Sequence, residues 1–187
     1  MNTPTTILLA RHGQTMWNLE RRRQGQLNSP LTEKGLDDAR KVAAQASSWP
    51  VDIIVASPLG RAFQTATIIG TALRVDVQPL DDLMEVHHGE YAGFTDAELD
   101  DAHPGWRDER LRDIYDWRFP GGESYHDAHD RAVRALASPQ ITGASCPLIV
   151  THQMLACMLI GVLDHLDVGQ ALQRKLPHGQ LLVFQQQ

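Results

Sequence analysis

Three short stretches of this chain each end an apolar run in residues that can grip or attack an anion. Arg11 and His12 follow "TTILLA" (5–10), Ser57 and Arg61 follow "VDIIVA" (51–56), and His152 closes "PLIVT" (147–151). Guanidinium and imidazole groups are costly at the edge of a core unless something anionic or reactive needs them there. Arginine forks match phosphate oxygens, and helix N-termini add N–H donors. A neutral histidine in such a cluster can attack phosphorus, because nearby cations lower its pKa. The chemistry implied is phosphoryl transfer, which asks mainly for positioning and for stabilisation of charge. A leaving alkoxide also needs a proton, and hence a carboxyl group nearby. "DDLMEVHHGEYAGFT" (81–95) offers Asp81, Asp82, Glu85 and Glu90, and its composition alone does not rank Glu85 above Glu90.

These residues can meet only if the fold brings their stretches to one edge. Short apolar runs alternate with longer segments of helical period, which predicts an α/β fold with a mainly parallel central sheet flanked by helices in three layers. Strands are expected over 5–10, 51–56, 74–80, 147–151 and 180–185. Helices are expected over 32–49, 59–73, 121–136 and 153–165, with Thr32 as one N-cap and Ser124, three before Asp127, opening a capping box. In open α/β sheets ligands bind at the carboxyl ends of the strands. That rule places Arg11, His12, Ser57, Arg61 and His152 together.

The bulk properties narrow the partners. The chain has 187 residues, enough for one domain with a substantial core, here taken as 1–187. Its formal net charge of −6 argues against a nucleic-acid binder held by phosphate charge. Cys146 and Cys157 are too few for a disulfide framework and read as reduced thiols of a cytoplasmic protein. "MNTPTTILLA" lacks a basic n-region, and "MLACMLIGVL" (154–163) is half a membrane span, so a buried helix and no membrane association are expected.

The strings "ARHGQTMWN", "SPLGRAFQTA", "LMEVHHGEYAG", "PGGES" and "VTH" occur in the order and spacing of the histidine phosphatase superfamily, which includes the cofactor-dependent phosphoglycerate mutases. The chain resembles that family over nearly its whole length, and RHG after a strand followed by T-x-W-N is the most specific of the strings. The resemblance implies a phosphoglycerate mutase-like fold with His12 as the nucleophile that becomes phosphohistidine. It further implies that Arg11, Arg61 and His152 hold the phosphoryl group, with Asn18 at its edge and Gln24 and Gly25 bordering the pocket. Glu85 matches the acid that protonates the leaving oxygen and then, as base, activates water. Gly13, where a glycine leaves room for close backbone approach, and Gln153 complete the phosphate-binding set. No metal and no cofactor are expected. The chain departs from the family pattern at Gln153, where glycine is usual, and at "GEYAG" (89–93), where Tyr91 and Ala92 replace Trp and Glu.

The resemblance leaves three function classes: a phosphomonoesterase acting on a small phosphorylated metabolite, a phosphoglycerate mutase, and a phospho-ligand-binding regulator without catalysis. Only 35 residues (86–120) separate Glu85 from "GGES", short for a mutase insertion, and retention of His12 and Glu85 speaks against a dead binding module. Hydrolysis is therefore the favoured expectation. The stretch 86–120 reads as a lid-like insertion, and "GWRDERLRDIYDWRF" (105–119) within it as an amphipathic helix or as the part that touches the substrate's non-phosphate end. His126 and His129 read as surface residues and Cys157 as core; His87 or His88 is a candidate for lining the pocket. His178 falls near the phosphate edge, with turn chemistry as its plainer reading.

Overall fold

The structure, a computed structural model, describes residues 6–185; Thr5, counted above in the first strand, lies outside the described residues. Strands β1 (Thr6–Arg11), β2 (Ile53–Ala56), β3 (Val77–Pro79), β4 (Pro147–Thr151) and β5 (Leu181–Gln185) form one sheet in the order β3-β2-β4-β1-β5. The first four run parallel and β5 pairs antiparallel with β1. The register sets Arg11 beside Thr151 and Ala56 beside Val150, so β1, β2 and β4 end level at one edge.

The helices are α1 (Met16–Leu19), α2 (Glu33–Ala46), α3 (Gly60–Leu73), α4 (Asp96–Ala102), α5 (Trp106–Arg112), α6 (Tyr125–Leu136), α7 (Pro139–Thr142), α8 (Gln153–Leu163) and α9 (Val168–Leu172). Strand side chains alternate between two cores, as the period of two requires. Leu8, Ala10, Ile54, Ala56, Leu148 and Val150 face the apolar stripe of α2 and part of α3. Ile7, Leu9, Val55 and Ile149 face α6, α8 and the 86–120 segment. Each of the fully buried Leu8, Leu9, Leu148 and Ile149 contributes roughly 1.5–3 kcal/mol of burial energy. This is the expected three-layer α/β arrangement.

Caps set several boundaries. The Thr32 hydroxyl accepts the Gly35 N–H and starts α2, and Ser124 and Asp127 exchange the two bonds of a capping box at α6. The expected 105–119 helix shortens to Trp106–Arg112 and then turns, Asp116 N–H returning to the Asp113 carboxylate. Residue 119 is a buried Phe whose N–H and carbonyl face the Glu123–Gly122 turn, which a continuing helix would not allow. Among the described residues no helix is long and apolar enough to cross a membrane. Helix α8 is buried along most of its length, and Cys146 and Cys157 are both buried and unpaired as thiols.

Candidate active site

His12 sits where β1 ends, 3% exposed, with its backbone N–H on the Thr151 carbonyl at 2.9 Å. Its Nδ1 lies 2.7 Å from the Gly13 carbonyl, an acceptor only, so Nδ1 carries the hydrogen and Nε2 keeps a lone pair. Arg61 Nε donates to that Nε2 at 3.3 Å. Burial first, then the Arg61 and Arg11 charges, hold the His12 imidazole well below the usual histidine range. Near neutral pH the ring is therefore in the neutral form that a nucleophile requires.

Arg61, on the first turn of α3, is 1% exposed and locked by its other two nitrogens: Nη1 donates to the Leu27 carbonyl and Nη2 to the Gly25 carbonyl, each at 2.7 Å. Desolvation lowers it to about 10, with Glu85 opposing and Arg11 reinforcing the shift, so it stays charged near neutrality. Gly25 offers its carbonyl from a left-handed backbone at φ +51, where a Cβ would also press on His88. Arg11 donates from Nη1 to Gln153 Oε1 at 3.2 Å, while its buried Nε has no partner among the described residues.

His152 is the N-cap residue of α8 and fully buried. Its Nε2 lies 2.8 Å from the Ser57 hydroxyl, which also accepts the Leu59 N–H. That hydroxyl can give its hydrogen to Nε2, which leaves the imidazole hydrogen on Nδ1, and Nδ1 has no partner among the described residues. Burial and the Arg61 charge keep this ring, too, well below the usual histidine range. The His12 and His152 rings stand 5.1 Å apart. A nucleophilic nitrogen thus has Arg61 Nε, the Arg11 charge and the His152 ring beside it, groups of the kind that stabilise an in-line phosphoryl transition state.

Glu85 is the carboxylate placed at this cluster. Its Oε1 accepts the Val86 N–H at 3.0 Å and the Leu155 N–H at 3.2 Å, and its Oε2 accepts the Met154 N–H at 3.2 Å. It thereby caps the N-terminus of α8, where the helix dipole favours negative charge. Glu85 is one of the charges felt by both Arg11 and Arg61. Glu90, its rival by composition, lies beyond the Gly89 turn, its N–H on the Pro120 carbonyl.

The remaining expected residues fall into two groups. Asn18 and Gln24 meet through Thr15: the Asn18 side-chain oxygen accepts the Thr15 N–H and hydroxyl, and Gln24 Nε2 donates to the same hydroxyl at 2.8 Å. Gln153 ties Arg11 to the C-terminal segment, accepting the Leu176 N–H and donating to the Arg174 carbonyl. Gly13 is placed differently from expectation. Its N–H goes to the Thr65 hydroxyl rather than to a phosphate, and its carbonyl accepts from His12 Nδ1. A Cβ at Gly13 would run into the Gly35 carbonyl, so the glycine serves close packing of β1 against α2. Tyr91 is buried among His103, Trp106, Trp117 and Phe119 and belongs to the core of the 86–120 segment.

Two partners, Arg131 and Thr65, were not singled out as site residues, and His178 was placed only near the phosphate edge. Arg131 on α6 donates to the carbonyls of Asp82, Met84 and Glu85 and pairs with Glu123, clamping the loop that carries Glu85. Its signal in the sequence is an arginine within the stripe Ala128, Ala132, Ala135. Thr65, one turn after Arg61, holds Gly13. His178 donates from Nδ1 to the His12 carbonyl at 2.6 Å with its ring 5.4 Å from that of His12, and burial followed by the Arg11 charge lowers it to about 4. His126 and His129 stay with Asp116 and Asp130.

The geometry agrees with what the chain is similar to. Residues 7–187 match the family described as histidine phosphatase superfamily (branch 1). A Salmonella choleraesuis protein named "Probable phosphoglycerate mutase GpmB" is 39% identical over 159 residues, covering 84% of this chain and 74% of that protein. Among solved structures, mycobacterial glucosyl-3-phosphoglycerate phosphatase complexed with VO3 superposes with a TM-score of 0.81 at 28% identity, covering 96% of this chain and 90% of that one. Bacillus stearothermophilus YhfR gives 0.86 at 29%, covering 95% and 89%. The alpha-ribazole phosphatase of Shigella flexneri, at 22% identity and a TM-score of 0.85 over 95% and 89%, shares the fold. The chain belongs to branch 1 of the histidine phosphatase superfamily.

Proposed function

We propose that this protein is a phosphomonoesterase that hydrolyses a small phosphorylated metabolite through a phosphohistidine on His12. The observation that carries the reading is the pinned tautomer: Nδ1–H on the Gly13 carbonyl leaves the Nε2 lone pair among Arg61, Arg11 and His152. In the first step the Nε2 lone pair forms an N–P bond while the ester P–O bond breaks. Its electron pair goes to the leaving oxygen, and Glu85, in its protonated form, gives that oxygen its proton. In the second step water attacks phosphorus and Glu85 takes its proton. The P–N electron pair returns to Nε2 and inorganic phosphate leaves.

The residues supply charge stabilisation without calling on a metal or cofactor, and the reading includes a cytoplasmic setting with neither nucleic acid nor membrane as partner. Relatives named as mutases and neighbours named as phosphatases keep a second reading open, interconversion of phosphoglycerate isomers. The short 86–120 segment supports hydrolysis, because a mutase must keep water from phosphohistidine.

Phosphate release from a panel of phosphomonoesters, in excess chelator, by the wild type and by His12→Ala tests the proposal. Chelator-resistant turnover that vanishes in the variant is expected. Turnover that survives in His12→Ala, or an absence of hydrolysis beside phosphoglycerate interconversion, overturns it.

A further inference from the structure

Gln153 stands where the family pattern has glycine. It opens the first turn of α8 directly after His152, and its side chain fills every hydrogen-bonding place a carboxamide has. Oε1 accepts from Arg11 Nη1 and from the Leu176 N–H, each at 3.2 Å. Nε2 donates to the Arg174 carbonyl at 3.1 Å and to the Cys157 sulfur at 3.3 Å. Turned over, the amide would set its NH2 group against two donors and its oxygen against the Arg174 carbonyl, so the partners admit one orientation.

The two arginines of the site are held differently. Arg61 is locked by two backbone carbonyls. Among the described residues Arg11 has one hydrogen bond, that from Nη1 to Gln153, and its buried Nε has none. Glu85 acts on it through charge alone. A neutral amide fixes one nitrogen of the fork and leaves the guanidinium its whole charge and its other N–H groups for phosphoryl oxygens, whereas a carboxylate there would cancel part of that charge. The far side of the amide is tied to the backbone of Arg174 and Leu176, shortly before His178, whose Nδ1 donates to the His12 carbonyl at 2.6 Å. One short segment, 174–178, thus backs both the arginine and the nucleophile.

Resting on the phosphomonoesterase reading, we propose that Gln153 is a positioning residue that acts through Arg11, holding its guanidinium against the 174–178 segment in the orientation the transferring phosphoryl group requires. An arginine side chain has many rotamers to lose, and an anchor that fixes the fork before the ester arrives removes that cost from binding and from the transition state. The contribution of Gln153 then exists only while Arg11 is there to receive it.

The test is a cycle of kcat/KM on p-nitrophenyl phosphate over the wild type, Gln153→Met, Arg11→Met and the double variant. Methionine keeps the reach of the side chain and loses its hydrogen bonds. Gln153→Met is expected to lower kcat/KM by at least about tenfold in the wild type, and by at most about threefold once Arg11 is replaced. A loss that came only from loosening 174–178 would recur in full in that background, because His178 still depends on the segment. A smaller loss in the first case, or a larger one in the second, overturns the proposal. Gln153→Asn, an amide one methylene short of Arg11, is expected to follow the same pattern and decides the matter if the methionine variant does not fold. The same cycle read as calorimetric affinity for orthovanadate, a mimic of five-coordinate phosphorus, needs no turnover and so separates this inference from the reading beneath it. The same two margins there sustain the anchor even if hydrolysis fails. A breach of either, or a wild type that binds no vanadate, sinks it even if hydrolysis stands.

Discussion

Two walls of the same site are built on opposite principles. The sheet-edge wall places His12, Arg61 and His152 in near-complete burial, each held through backbone carbonyls or a hydroxyl. The wall from the 86–120 segment is held by an aromatic cluster around Tyr91 and by exposed ion pairs such as Arg22–Glu98 and Arg107–Asp100. Buried groups with fixed partners give preorganisation, which is what transition-state stabilisation requires. Exposed pairs contribute little and can be exchanged without disturbing a core. Chemistry is thus expected to reside in the first wall and choice of alcohol in the second.

The largest predicted effect is on the acid. Glu85→Gln retains an acceptor at the N-terminus of α8 but cannot supply a proton, so kcat on alkyl phosphates should fall by about 10²–10⁴-fold. With p-nitrophenyl phosphate, whose leaving group needs no proton, the loss should be at least about tenfold smaller. Equal losses on the two esters would remove Glu85 as the acid of the first step and leave only its part in the second step, which the two esters share.

Gly13→Ala comes next. Its Cβ would meet the Gly35 carbonyl, and neither β1 nor α2 can move freely, because Gly35 is itself pressed against Gln14. Destabilisation of about 3 kcal/mol is expected by urea denaturation, with kcat falling in parallel as the His12 tautomer loses its carbonyl anchor. Gly105→Ala in the other wall, where a Cβ meets nothing within 4 Å, carries only the strain of its φ of +88 and should cost less. A larger cost at Gly105 would reverse the ranking of rigidity between the walls.

These two glycines also mark how much was legible in the sequence. RHG, the alternating segments and the strand-end rule were enough to bring Arg11, His12, Arg61 and His152 together, because each lies at a strand end or on the first turn of the helix that follows one. Glu85 was fixed by resemblance; its physical reason, capping α8, depends on a contact across 69 residues of chain that no local pattern contains. Arg131 and Thr65 escaped for the same reason. Gly13 was read as leaving room for a phosphate, and the close approach seen at it is that of the Gly35 backbone in α2. Over 105–119 the alternation of charged and aromatic residues suggested one helix, and the packing of Phe119 and the Asp113 turn ended it early.

Buried and exposed histidines should also differ in the sign of their response to acid. His12, His88 and His152 are held below the usual histidine range, His88 at about 3, so below pH 6.5 the unfolded chain takes up protons that the folded chain refuses. Their contribution is complete above that pH and is lost as pH falls toward the folded values, with a slope approaching about 1.4 kcal/mol per pH unit for each histidine. His126, exposed beside Asp116, is shifted upward and favours folding in acid, the opposite sign. Urea midpoints measured between about pH 7.5 and 5 should fall, and His152→Asn should flatten that fall while His126→Gln leaves it steep. A slope unaffected by His152→Asn would mean that the buried imidazoles are protonated in the fold.

The smallest effect belongs to the exposed pairs. Asp100 lies within hydrogen-bonding reach of both Arg107 and the Trp106 indole, and Arg107 and Arg23 flank that indole, each 4.9 Å from its centroid. Arg107→Gln breaks the ion pair but leaves Asp100 its bond to the indole and leaves Trp106 the Arg23 guanidinium. Because the pair is in water, its Coulomb gain is screened and offset by side-chain entropy. The thermal midpoint of Arg107→Gln should therefore stay within replicate scatter at physiological salt, as should kcat on a neutral ester. A clear drop in both would show that the second wall transmits its order to the first, and the division between fixed chemistry and exchangeable specificity would have to be redrawn at α5.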